Sequence, residues 1–346
     1  MEASAEKTNS FDMKKVLKSP KLLSLWHLMK GYHFNYFVAT VALAISALAR
    51  AGIFLYLGRF IDALREGGMQ NKAIITSALA FLGLIMLQAL STFVSSWMAS
   101  FTAENTTRRL RNHLFDHIQR LTYAYHAEAK TGDLLERATS DVDTLRRFFA
   151  DQAIGMGRII FILVINFTLI YRIQPRLAWV SIAIVPLTLV ISMVFFRNLR
   201  KAYEGYQEQE AIITTHLQET LSGVRVVKAF ARQDYEIQKF SENNAEKLRR
   251  GKRLMLMHST FWPVSDIICG LQHVLSTYVA ATSVIDGIIS LGEFVTFAGL
   301  LNWLIWPIRN LGRLIIDTSR ALVSYGRVET ILSATEEDLY TAKYQP

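Results

Sequence analysis

Ionisable side chains inside long apolar stretches are costly, and where they occur they mark ion pairs, proton paths or water-filled cavities. Four stand in such stretches here: Arg50, Arg158, Asp266 and His273. Arg50 lies near the middle of its stretch, so a cavity or ion-pair role is expected for it. Arg158 lies close to the end of its own and can snorkel toward polar surroundings. Asp266 and His273 are seven residues apart, on one helix face, with Gln272 beside them. That face reads as a polar seam between helices or as part of a binding site. Trp303 and Trp306, three apart and next to Asn302, share a face as well. They fit an aromatic belt at a membrane interface or, facing inward, a flat apolar or cationic ligand held by stacking and cation–π contacts.

Other chemistry is missing. No Gly-x-x-x-x-Gly-Lys-Ser/Thr loop occurs to cradle phosphates; Gly251-Lys252 lacks both the upstream glycine and the following hydroxyl. No Ser/His/Asp set and no His-Glu-x-x-His pattern appears, and the eight histidines are scattered. Cys269 is the single cysteine, so neither a disulfide nor a cysteine zinc site can form within one chain. As written, the chain should not hydrolyse ATP, and no catalytic, cofactor or metal residues are expected in it.

The elements that position these residues are membrane spans. Crossing about 30 Å of hydrocarbon takes about 20 apolar residues. Six stretches qualify: Phe34 to Leu57, Ala73 to Trp97, Ala153 to Tyr171, Leu177 to Phe196, Leu254 to Ile285 and Ile289 to Ile308. Before them, Leu22, Leu23, Leu25, Trp26, Leu28 and Met29 alternate with Lys21, His27 and Lys30. That is a short amphipathic helix suited to the interface, over 21–33, or else the start of the first span. Residues 1–20 are polar, lack a signal-peptide core and read as a disordered cytoplasmic tail.

The formal net charge of +9 invites a nucleic-acid reading, but its placement argues for topology. Of 38 lysines and arginines, 31 lie in the two terminal segments and two long loops, 102–152 and 197–253, and only 5 in the short links. Positive residues stay inside, so both termini and both long loops are expected in the cytoplasm of a multi-pass plasma-membrane protein. Nucleic-acid binding is rejected.

The long loops carry helical periodicity. Leu110, Leu114, Ile118 and Leu121 recur at helix spacing, and the second span read as one helix to Tyr123 is roughly 75 Å long. The fourth span runs on in the same way toward Phe230. Gly132 marks a turn, and Ser140 with Asp143 resembles a capping box that opens a short helix with Val142, Leu145 and Phe148. Another short helix is expected over Phe230 to Glu236. Two stiff hairpins thus project into the cytoplasm, as a machine whose motor lies outside the membrane requires. Pro263 is a plausible hinge in the fifth span, and Pro186 and Pro307 permit the same reading.

These residues resemble a known family. The run Leu217-Gln-Glu-Thr-Leu-Ser-Gly-Val-Arg-Val-Val-Lys-Ala-Phe230, with Phe240 and Asn243-Asn244, is similar to the second intracellular loop of ATP-binding-cassette (ABC) exporters. Gly132-Asp-Leu-Leu-Glu-Arg137 through Asp141-Val142 resembles their first loop, and Pro307-Ile308-Arg309 through Ser324-Tyr-Gly-Arg-Val328 the end of their sixth span. The resemblance covers about 20–330. It implies an all-α membrane domain over 34–330, six helices with long cytoplasmic extensions, paired as a domain-swapped homo- or heterodimer. It also implies partner ATP-binding domains that carry ATP and Mg, met through coupling residues Asp141, Val142, Leu145, Phe230, Arg232 and Asp234. Span-6 residues Asn302, Trp303 and Trp306 then join Arg50, Asp266 and His273 as translocation-path candidates. Leu221-Ser222-Gly223 is not the ABC signature, because Val224-Arg225 follows it inside the second loop. Residues 331–346 read as a linker toward an ATP-binding domain, on a separate polypeptide or, as is commoner in that family, on a longer form of this one. A secondary carrier or a motor-free receptor module are the alternatives; the hairpins argue against the first.

Overall fold

A computed structural model of the chain describes residues 21–66 and 71–337. The expected tail over 1–20 and the end of the expected linker lie outside them, as does the side chain of Trp306. Nine helices form among the described residues: α1 (Lys21–Leu28), α2 (His33–Arg65), α3 (Asn71–Gln119), α4 (Tyr123–Glu128), α5 (Thr131–Ile173), α6 (Pro175–Ser222), α7 (Val224–Ala229), α8 (Gln233–Ile285) and α9 (Leu291–Leu332). The only β pairing described is an isolated bridge between Leu121 and Glu336.

Six of these helices, α2, α3, α5, α6, α8 and α9, are long and apolar enough to cross a membrane, one for each expected span. The extensions are as long as the periodicity implied. α3 has 49 residues and α8 has 53, which at 1.5 Å per residue makes them about 73 and about 80 Å long. Arg50 interrupts nothing, because a helix bonds its own backbone whatever its side chains carry. Pro263 and Pro307 sit inside continuous helices, whereas α6 loosens into a turn at Ala183–Ile184 just ahead of Pro186.

α1 is a separate helix, split from α2 at Gly31, whose φ of +93° suits the glycine. Leu25, Leu28 and Met29 are buried while Leu23 and Trp26 face outward, as an amphipathic helix requires. The Arg109 guanidinium donates to the carbonyls of Leu28 and Lys30, satisfying the open C-terminal end of α1 and fixing it on α3.

Two expectations are corrected in the first hairpin. No helix starts at Ser140: α5 runs through, with wide π turns at Arg137–Asp141 and Phe148–Gln152. The Asp143 carboxylate accepts from Arg146 (2.7 Å) and Arg147 instead of reaching back to the Ser140 backbone, so the capping-box spacing was occupied by cations one turn on. The short helix at the hairpin tip is α4, opened by Thr122, whose hydroxyl accepts from the Tyr125 N–H (3.4 Å). In the second hairpin the short helix is α7, which precedes Phe230 rather than beginning there. Phe230 to Arg232 form the turn after it, with Ala231 at φ +49°.

The core has two parts. Toward the extensions, Leu25, Leu28, Leu114, Val142, Leu145, Phe149, Tyr325 and Ile331 pack α1, α3, α5 and α9 together. At the other end Ala51, Ile170, Leu177, Phe297, Leu300 and Leu301 close α2, α5, α6 and α9. There the start of α9 is pinned to α2: the Asp62 carboxylate accepts from the Gly292 N–H (2.8 Å) and from the Ser290 hydroxyl (2.5 Å). Ser290 and Glu293 form a reciprocal capping box. The two backbones touch at Gly58 and Gly292, so a Cβ on Gly292 would overlap the Gly58 carbonyl oxygen. Small residues permit such close crossings in membranes. Gly292→Ala should therefore separate α2 from α9 and lower the thermal midpoint of the purified protein, at a cost of about 1–3 kcal/mol. Gly83→Ala, whose Cβ meets nothing within 4 Å inside α3, should not lower the midpoint.

Candidate functional site

The membrane half holds a cavity of about 210 Å³ between α2, α3, α5 and α9. Arg50 and Arg158 line it together with Gln88, Thr92, Asn166 and Trp303. The Arg50 guanidinium carbon lies over the Trp303 ring, 3.5 Å from its centroid, a close cation–π contact. The Gln88 amide, turned so that its oxygen faces the guanidinium, accepts from Nε (3.3 Å) and Nη2 (3.0 Å). Asn166 donates to the Leu300 carbonyl (3.0 Å) and so ties α5 to α9 behind the cavity.

On the other side of Trp303 a wider cavity, about 800 Å³, opens between α8 and α9. Asp266, Cys269, His273, Asn302, Trp303 and Arg309 line it. Of the six expected path residues, Arg50 and Trp303 line the first cavity and Asp266, His273, Asn302 and again Trp303 the second, while Trp306 has no described side chain. Asp266 is paired with the largely buried Arg309, which also lies over the Trp262 ring at 5.7 Å. Sequence reasoning counted Arg309 among the basic span ends and missed it as a partner; no local spacing links it to Asp266. Gln272, by contrast, is buried and donates to the Ser181 carbonyl, so it belongs to a seam between α8 and α6. Arg50 covers one face of the Trp303 ring, while Trp303 stays 40% exposed and also lines the wider cavity.

The second candidate region is the hairpin tips. Phe230 is 74% exposed at the turn after α7. Arg232 stacks over Tyr235 (4.6 Å), and Asp234 is exposed in the first turn of α8, where its charge suits the helix N-terminus. The first-loop residues lie elsewhere: Val142 and Leu145 are buried against the chain's own core, and Asp141 faces inward with Arg327 at 3.9 Å. What the first tip exposes is Tyr123 (83%) and, nearby, Leu135. Thr122, a good helix opener just after the periodic run ends at Leu121, was the signal for that tip.

Both tips are tied down by side chains. In the first, His117 lies between the Glu336 carboxylate (2.7 Å) and the Ile331 carbonyl (3.0 Å), and Glu337 N–H donates to the Arg120 carbonyl (2.7 Å). The segment after α9 is thereby clipped to α3. In the second, His216 of α6 meets Glu236 of α8 (2.8 Å), and Thr220 donates to the same oxygen (3.2 Å). The His216 hydrogen bond holds the Glu236 carboxyl below its ordinary value of 4.5. A depressed carboxylate contributes stability above its unfolded value and loses it as pH falls. Amide hydrogen exchange over residues 224–233 should therefore speed up as pH drops below about 4.5, after correction for intrinsic rates. Glu236→Gln should show the faster exchange already at pH 7.

Among the described residues no cluster of three His, Cys, Asp or Glu side chains stands close enough to hold a metal ion. The sequence pattern of the family described as ABC transporter transmembrane region matches residues 36–308. The chain is 30% identical over 270 residues to an uncharacterised ABC transporter ATP-binding protein, YknU, of Bacillus subtilis, covering 78% of this chain and 46% of that one. It is 24% identical over 305 residues to YgaD of the same organism, whose name assigns it provisionally to multidrug export as an ATP-binding/permease protein, covering 87% and 53%. Over 322 residues it is 26% identical to an ATP-dependent lipid A-core flippase of Desulfotalea psychrophila, covering 90% and 54%. The chain spans about half the length of these curated relatives.

Proposed function

As this chain belongs to the family of ABC transporter transmembrane regions, we propose that it carries a hydrophobic or amphipathic substrate out of the cytoplasm by alternating access, driven by ATP hydrolysis in nucleotide-binding domains. It is a multi-pass membrane protein and an exporter-type transmembrane domain. In this reading it resides in the plasma membrane, with both termini and both hairpins in the cytoplasm, where the excess of lysine and arginine lies. ATP and Mg belong to the nucleotide-binding domains; this chain supplies the path and the levers. The domain proper runs over 34–330, with α1 as an interfacial elbow and the segment from 331 leading toward the motor.

One observation carries the reading. The hairpin of α6 and α8 runs far past its apolar span, is braced by Lys247–Glu210 and His216–Glu236, and exposes Leu217, Leu221, Val226, Phe230 and Ile237. A stiff helical pair with an uncovered apolar tip is built to be gripped. A nucleotide-binding domain fits the tip, and a second half-transporter, identical or sibling, fits the flank as in a domain-swapped dimer. Phe230, Arg232 and Asp234 are then the contacts that transmit force. Asp141, Val142 and Leu145 act from inside, bracing the first arm against α3 and α9, while Tyr123 and Leu135 take the outward role there.

Truncating an aromatic anchor at such a contact costs about 2 kcal/mol or more of docking energy. The Phe230→Ala, Asp234→Ala double variant, reconstituted with its nucleotide-binding domains in vesicles, should still hydrolyse ATP while substrate transport per ATP falls sharply. Unchanged coupled transport in that variant would remove the coupling role from this tip.

A further inference from the structure

The cavity of α2, α3, α5 and α9 has an unusual charge balance. Arg50 and Arg158 both line it, no Asp or Glu does, and neither arginine forms an ion pair among the described residues. The neighbouring cavity differs, since its Arg309 is matched by Asp266. Gln88 and Trp303 hold the Arg50 guanidinium in place, yet an amide dipole and a ring quadrupole supply no counter-charge. A cation at membrane depth without an anion is expensive, and an incoming anion relieves that cost. A ligand cation entering this cavity meets two positive charges, and Arg50 already sits on the Trp303 face there.

We propose that this cavity binds the anionic group, phosphate or carboxylate, of an amphipathic molecule. Arg50 and Arg158 hold the charge, and Leu43, Phe54, Ile162 and Leu300 surround its first methylenes. The inference rests on the transport reading above and assigns its substrate class. Size supports a head-group site: about 210 Å³ is smaller than the roughly 300–1,000 Å³ of pockets that enclose whole drug-sized ligands. The guanidinium of Arg50 is pre-positioned, because its Nε and Nη2 donate to Gln88 and its central carbon sits over Trp303, which lowers the ordering cost of binding.

The test is binding of radiolabelled dodecyl phosphate to the purified protein in non-ionic detergent, without nucleotide. Saturable binding is expected, displaced by dodecanoate and at least about tenfold less effectively by dodecyltrimethylammonium. Arg50→Gln and Arg158→Gln should each weaken it by about tenfold or more, while Arg50→Lys retains most of it. If Arg50→Gln fails to fold, Arg158→Gln and the charge preference of the native chain still decide. Equal displacement by dodecyltrimethylammonium, or full affinity in both glutamine variants, overturns the proposal. So does displacement by inorganic phosphate at the concentrations where dodecyl phosphate binds, which would identify a soluble anion. Charge-selective binding in a protein that transports nothing would sink the transport reading alone. Transport without any charge preference in binding or rate would sink this inference alone.

Discussion

A peptide group in hydrocarbon finds no water, so every N–H and C=O in the spans must be bonded within the chain, and a helix is the way six separate segments achieve this. That one constraint organises the rest. Once a span is helical, extending it past the membrane adds a hydrogen bond per residue without a new nucleus. The arms beyond the spans are therefore continuations of α3, α5, α6, α8 and α9 rather than domains attached to them. An arm that shares its helix with a span moves when the span moves. The mechanical role proposed for the tips follows from this continuity more than from any single contact.

The same absence of water gives the buried polar groups their weight. Asp62 joins α9 to α2 through two hydrogen bonds, Asn166 joins α5 to α9, and Gln272 joins α8 to α6. Asp266 and Arg309 neutralise each other between α8 and α9. Against that pattern of satisfied groups, Arg50 stands out as a charge held in position by Gln88 and Trp303, with the exposed Arg158 lining the same cavity and no charge opposite either among the described residues. Geometry that fixes a cation without neutralising it is what an anion site requires, and it makes the cavity the most specific chemical feature of the membrane half.

Much of this was legible in the sequence because the forces behind it are local. A run of twenty apolar residues and a 3.6-residue period each declare themselves within one segment. Tip positions were harder. The arms and the tip helices share one periodicity, so only capping chemistry separates them, and Ser140 with Asp143 mimicked a cap while the real one stood at Thr122. Val142 and Leu145 entered as docking residues through the family resemblance, and an apolar helix face does not say what covers it; here the chain's own α3 and α9 do. Long-range pairs were invisible altogether. Nothing near residue 50 points to Trp303, and nothing near Gly58 points to Gly292, since those contacts exist only once the helices cross.

The central claim is that each arm and its span are one rigid lever, and distance measurement between spin labels tests it directly. With Cys269 replaced by serine, labels at Leu79→Cys in the span and Phe115→Cys in the arm of α3 stand 36 residues apart, about 54 Å along a straight helix. Both positions are exposed. In membranes, with the nucleotide-binding domains present, the account predicts a narrow distribution near that length, the same with and without ATP. A broad distribution, or one that shortens when ATP is added, would mean that α3 bends between membrane and tip and that force does not travel along it as a rigid element.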